Sequence, residues 1–114
     1  IIDLSNDIEG IAIRSREGKI DPTELNGSTF TISSVGSMSG QYFTPILNYP
    51  EIALLGIGRI AKKPVVVNDE IVIGSLVGLS LTFDHRAVDG ADAARFLKKL
   101  IELLENPDLL FMEA

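Results

Sequence analysis

The stretch DHRAVDG, residues 84–90, sets the only histidine of the chain between two carboxylates. Imidazole is the side chain whose ordinary pKa lies nearest neutrality, so it can take up and release a proton there. A neighbouring carboxylate can orient the ring or stiffen the corner that carries it. Each residue also has a plainer reading. Asp89 suits a helix N-cap, with Asp92 three positions on in a capping-box-like arrangement. Asp84 and Arg86 read as a surface ion pair, Ser33 in TISS as a strand residue, and GSMSG as a flexible loop with two glycines. Taken singly, none of these compels a function.

The elements around the corner fix its place. LVGLSLTFD alternates as a strand, with Val77, Leu79, Leu81 and Phe83 on one face and Gly78, Ser80, Thr82 and Asp84 on the other. After the motif, Gly90 to Glu105 carries a helical stripe of Ala93, Leu97, Leu100, Ile101 and Leu104. Asn106-Pro107 is expected to stop it. Upstream, Ile1, Leu4, Ile8 and Ile11 recur at helical spacing, and Gly18 is expected to cap that helix. DPTEL predicts one helical turn, with Asp21 as cap, Pro22 first and Glu24 closing a capping box. STFTISSV predicts a strand in which Thr29, Thr31 and Ser33 oppose Phe30 and Ile32. TPILNYP predicts an extended segment. The apolar run EIALLGIGRI predicts a strand buried on both faces. Gly56 and Gly58 within it signal a bulge or a close backbone approach. KPVVVNDEIVIGS predicts a hairpin turning at Asn68-Asp69. Helix, strands, helix in this order predicts a layered α/β or α+β fold with a mixed sheet.

Composition narrows the function classes. A chain of 114 residues supports one small domain. A hydrophobic content of 46% is too high for disorder. A net charge of −6 argues against a nucleic-acid or anionic-membrane partner. With no cysteine there is neither a disulfide framework nor a thiolate metal site. No apolar run approaches the ~20 residues of a membrane span.

Together the motifs carry a specific resemblance. D-H-R-x-x-D-G between a strand and a helix resembles the active-site signature of the dihydrolipoamide acyltransferases, the E2 components of 2-oxoacid dehydrogenase complexes. STFTISSVGSMSG, FTPILNYPEIALLGIGRI, PVVVNDEIVI and LSLTFDHRAVDGADAARFL resemble the family's segments in its order and spacing, over essentially the whole chain. The resemblance implies a chloramphenicol acetyltransferase-like, coenzyme A-dependent acyltransferase fold. It further implies that the chain is the C-terminal half of the catalytic domain, with an incomplete sheet and without lipoyl and subunit-binding domains. One departure is Gly74, where many members carry arginine.

The implied reaction moves an acyl group between the thiol of dihydrolipoamide, carried on a lipoyl domain, and coenzyme A as substrate, with no metal. By resemblance, His85 is the general base, Ser33 the oxyanion donor, and Asp89 the residue that orients the loop and the imidazole. Arg86 is expected to pair with Asp84 or Asp89. Ser34, Gly58 and Ile60 match positions that line the coenzyme A channel. Family members are trimers, so Ser33 is expected to face a neighbouring subunit's histidine. The trimers build a 24-mer or 60-mer core, to which the E1 and E3 components attach through other domains. The implied location is the cytoplasm, or the mitochondrial matrix in a eukaryote. Two rivals stand beside this reading. One is a small-molecule acetyltransferase or a peptide-synthetase condensation domain, which share H-x-x-x-D-G and usually have a second histidine where this chain has Asp84. The other is an inert assembly fragment.

Overall fold

The computed structural model describes residues 1–38 and 40–113. The first helix, α1 (Ile2–Arg16), ends in the motif predicted at Gly18. Gly18 takes φ +66°, its amide donates to the Ser15 carbonyl, and the Lys19 amide reaches back to the Arg14 carbonyl. This satisfies carbonyls that the helix end would leave open. The apolar stripe of α1 packs against no other described helix or strand, and Ile1, Leu4 and Ile8 are exposed. The predicted turn at Pro22–Leu25 is a 3₁₀ turn with its full capping box: Asp21 receives the Thr23 amide and Glu24 receives the Asp21 amide.

Three strands form one mixed sheet in the order β1-β2-β3. β1 (Thr31–Ser34) runs parallel to β2 (Ala53–Val67), with Ser33 opposite Gly56. β2 runs antiparallel to β3 (Glu70–Phe83). The four apolar runs expected as separate strands thus merge into two long ones. Asn68 and Asp69, both at positive φ, make the two-residue turn that joins them. Pro64 is tolerated inside β2 because β1 pairs only as far as Ile57, and beyond that the outer edge of β2 is open.

The predicted glycine irregularity is real. Register shifts between Ile57 and Ile60, so that Gly58 and Arg59 stand opposite Gly78 alone. The chain from Gln41 to Pro45 crosses this spot without regular secondary structure. A Cβ on Gly58 would lie 1.9 Å from the Gln41 carbonyl oxygen, and one on Gly78 would lie 2.0 Å from the same oxygen. Phe43 and Pro45 cover Gly56, and Thr82 Oγ1 donates to the Pro45 carbonyl at 2.9 Å. The loop expected at GSMSG opens with a 3₁₀ turn at Gly36–Met38, while Ser39 lies outside the described residues.

β3 leads through the motif into α2 (Gly90–Glu105), whose bounds match the predicted helix. Asn106-Pro107 stops α2 but also opens an unpredicted helix, α3 (Pro107–Glu113), with proline in its first turn. The Phe96 ring of α2 lies 6.0 Å from that of Phe30, tying the helix to the approach of β1. Among the described residues the buried hydrophobic side chains are few, namely Leu54, Leu55 and Ala93. The both-faces burial predicted for EIALLGIGRI holds from Ala53 to Gly58 and fails at Ile52, Arg59 and Ile60, which are exposed. In the hairpin, Ile60, Ile71 and Ile73 are 74%, 77% and 80% exposed. The radius of gyration, 16.7 Å, exceeds the roughly 13 Å of a compact domain of this length. Among the described residues no helix is long and apolar enough to cross a membrane.

Candidate active site

His85 sits two residues beyond the end of β3, in a turn held at its root by the Asp84 amide donating to the Ile52 carbonyl at 2.8 Å. The amides of Ala87 and Val88 both return to the Asp84 carbonyl at 3.0 Å, which bends the chain toward α2. The imidazole is exposed and lies tilted on Phe83, ring centroids 5.6 Å apart. No hydrogen bond to a described residue fixes either ring nitrogen.

The two flanking carboxylates do different work. Asp84 receives the Arg86 amide at 2.9 Å and the Arg86 guanidinium at both oxygens, Nε at 3.0 and 3.1 Å and the terminal nitrogen at 2.6 Å. These bonds hold its carboxyl down at about 2, with the guanidinium bonds the largest cause and the backbone bond next. Of the two partners expected for Arg86, Asp84 is the one it takes. Asp89 caps α2, receiving the Asp92 amide at 2.8 Å. The reciprocal half of a capping box is missing, because the Asp92 side chain turns to Arg95. No described bond joins Asp89 to His85.

Ser33 is half-buried, on the same face of β1 as Thr31. Register fixes its distance from the corner. Ser33 lies opposite Gly56, Gly56 opposite Ser80, and His85 follows Ser80 by five residues. Two strand spacings across and five residues along put Ser33 and His85 of one chain roughly 20 Å apart. One chain therefore does not bring these two side chains together.

Ser34, Gly58 and Ile60 do come together. All three line one cavity of about 600 Å³, beside Arg59, Ser75 and Val77. Pairing puts the side chains of Ser34, Ile57 and Leu79 on this face of the sheet and Ser33 on the other. His85 does not line the cavity. Glu51 escaped the sequence reading, where it merely headed an apolar run. It is only 7% exposed and is bonded by Ser28, Thr31 and Asn48. The available signal was an acidic residue leading directly into a strand expected to be buried, since such a carboxylate needs partners.

The family model for the 2-oxoacid dehydrogenases acyltransferase (catalytic domain) matches residues 1–112. The chain belongs to this family. It is 49% identical over 113 residues to the dihydrolipoyllysine-residue acetyltransferase component of the pyruvate dehydrogenase complex from Staphylococcus epidermidis, covering 99% of this chain and 26% of that protein. The dihydrolipoamide acetyltransferase (E2p) of Azotobacter vinelandii superposes with a TM-score of 0.90 at 36% identity, over 96% of this chain and 45% of that one. The cubic core of a pyruvate dehydrogenase multienzyme complex also gives 0.90, at 37% identity and the same coverage. The fold is thus that of E2 catalytic cores, the chloramphenicol acetyltransferase-like fold. The chain spans about a quarter of the length of its curated relatives and under half of the solved cores. In the Azotobacter enzyme one serine, one histidine and one asparagine were investigated for their role in the catalytic mechanism. That serine precedes the histidine by 52 positions, and the asparagine follows it by four.

Proposed function

We propose that this chain is the C-terminal half of an acyltransferase catalytic domain that transfers an acyl group between the thiol of dihydrolipoamide and coenzyme A. The relatives' names point to acetyl as that group. The observation that carries the reading is the corner itself, with His85 exposed, without a hydrogen bond to a described residue and tilted against Phe83 just beyond the end of β3. Spacing supports it: Ser33 precedes His85 by 52 residues and Asp89 follows it by four, the intervals of the three residues in the Azotobacter enzyme. Asp89 stands where that enzyme has asparagine. Since the Asp89 side chain caps α2, it orients the corner through the helix start.

A thiol with a pKa near ~8.5 is mostly protonated at neutral pH. His85 takes the proton of the coenzyme A thiol as the sulfur attacks the thioester carbonyl of acyl-dihydrolipoamide. The carbonyl oxygen becomes an oxyanion, and the Ser33 hydroxyl donates a hydrogen bond to it. Collapse breaks the bond to the dihydrolipoamide sulfur, which recovers the proton from the imidazolium. Both ends are thioesters, so the protein mainly lowers a barrier. The roughly 20 Å between Ser33 and His85 in one chain favours a site built from two, with Ser33 facing His85 of the partner subunit. The cavity lined by Ser34, Gly58 and Ile60 is the proposed coenzyme A channel; the missing Gly58 side chain makes room for the Gln41 carbonyl behind it. The lipoyl group would arrive on a separate lipoyl domain, and the core would be a trimer assembling further, as the solved cubic core suggests.

In the complete enzyme, His85→Ala is expected to abolish most turnover and leave coenzyme A binding largely intact. Near-normal turnover in that variant defeats the mechanism.

A further inference from the structure

Glu51 is the most buried charged residue described, and its hydrogen bonds are one-sided. Oε1 receives the Ser28 hydroxyl, the Thr31 hydroxyl at 2.7 Å and the Asn48 amide at 3.4 Å. Oε2 is buried with no donor among the described residues. Burying a carboxylate with one bare oxygen is a poor way to gain stability. It is a strong way to fix position, because charge-assisted bonds are about twice as strong as neutral ones.

What these bonds position is specific. Thr31 lies on β1 two residues before Ser33 and on the same face. The residue after Glu51, Ile52, gives its carbonyl to the Asp84 amide, the root of the His85 corner. Glu51 is itself anchored by its amide donating to the Asn48 carbonyl at 2.8 Å. One dipeptide thus grips the serine strand through a side chain and the histidine corner through a main-chain bond. β1 is four residues long and pairs with β2 alone, so it has few other restraints.

We propose that Glu51 is a positioning residue for acyl transfer, holding Ser33 at the oxyanion through Thr31. This rests on the acyl-transfer reading and adds a residue to it. Ser28 and then Thr31 depress the Glu51 carboxyl below the usual range, which keeps it an anionic acceptor at working pH. A donor misplaced by about 1 Å can cost up to ~10²-fold in rate.

The test is a double-mutant cycle in the complete assembled enzyme, measuring kcat and KM for coenzyme A. Thr31→Val removes one bond while keeping a branched strand residue of similar shape. Glu51→Gln removes the charge, and Thr31→Val carries the test should that variant misfold. Each is expected to lower kcat by roughly ten- to a hundred-fold with KM nearly unchanged. In a Ser33→Ala background, Thr31→Val is expected to cost little more, because the hydroxyl it positions is already gone. Full multiplication of the two losses, or a change confined to KM, overturns the inference and leaves the oxyanion role of Ser33 standing. Normal kcat in Ser33→Ala alone removes that role, and this inference with it.

Discussion

Gly58→Ala offers a sharp test of the structural account, because the geometry states what the methyl would meet. Its Cβ would lie 1.9 Å from the Gln41 carbonyl oxygen and 2.6 Å from the Gln41 carbonyl carbon. Strand and crossing segment must part by at least about 1 Å before ordinary contact is reached. Neither can yield cheaply. The Arg59 amide donates to the Gly40 carbonyl at 3.4 Å, and Phe43 and Pro45 seat the same segment on Gly56. Overpacking of this kind costs about 1–3 kcal/mol, a fall in Tm of roughly 3–10 °C for the complete domain. The other glycines supply internal controls. Gly78→Ala meets the same oxygen at 2.0 Å and is expected to cost as much. Gly74→Ala meets only the Val65 side chain, at 2.8 Å, and is expected to cost less. Gly10→Ala, in α1 with nothing within 4 Å, is expected to stabilise by about 0.5–1 kcal/mol. Thermal melts of the four variants give the ranking directly. Gly58→Ala melting within about 1 °C of the parent, or Gly74→Ala costing more than Gly58→Ala, refutes the close-approach argument.

Three further outcomes are expected. Asp84 is held below its unfolded value, so the unfolded chain binds the extra proton and stability rises with pH across the gap. The contribution is complete above about 4 and is lost as pH falls through about 2; melts over that range should show a shallower slope in Asp84→Asn than in the parent, and an unchanged slope would contradict the pairing with Arg86. Asp89→Ala removes the α2 cap and should cost about 0.5–2 kcal/mol in denaturant unfolding, and no loss would leave the cap without a role. Residues 1–114 expressed alone should associate on size-exclusion chromatography and show no acyl transfer, since α1 and the hairpin expose their apolar faces; a well-behaved, active monomer would contradict the half-domain reading.

Much of this was legible in the sequence because local chemistry dictates it. Gly18, the Asp21 to Glu24 box, the Asn68-Asp69 turn and the bounds of α2 each follow from a residue type in a required conformation. The bulge was signalled by Gly56 and Gly58, but its cause was not. The Gln41 carbonyl that occupies the space comes from a segment without regular structure, and no periodicity announces such a crossing. Strand lengths were misjudged because Pro64 and Gly74 punctuate locally, whereas pairing along the whole hairpin overrides them. α3 was missed because Asn106-Pro107 ends one helix and begins another with the same two residues. Of the site, the corner and the three cavity residues were readable as motif positions. The separation of Ser33 from His85 needed the register, and Glu51 needed the convergence of Ser28, Thr31 and Asn48, which lie up to 23 residues away in sequence.

The central claim is that one chain supplies Ser33 and another supplies His85 to each site. Complete chains carrying His85→Ala and complete chains carrying Ser33→Ala should be denatured together, co-assembled in equal amounts and assayed for acyl transfer to coenzyme A. Each variant alone should be nearly inactive. With random assembly and sites shared between neighbouring chains, about a quarter of the sites should regain an intact pair, and with them about a quarter of the parent activity. A mixed assembly no more active than the average of its two parents would mean that both residues act within one chain, contradicting the account.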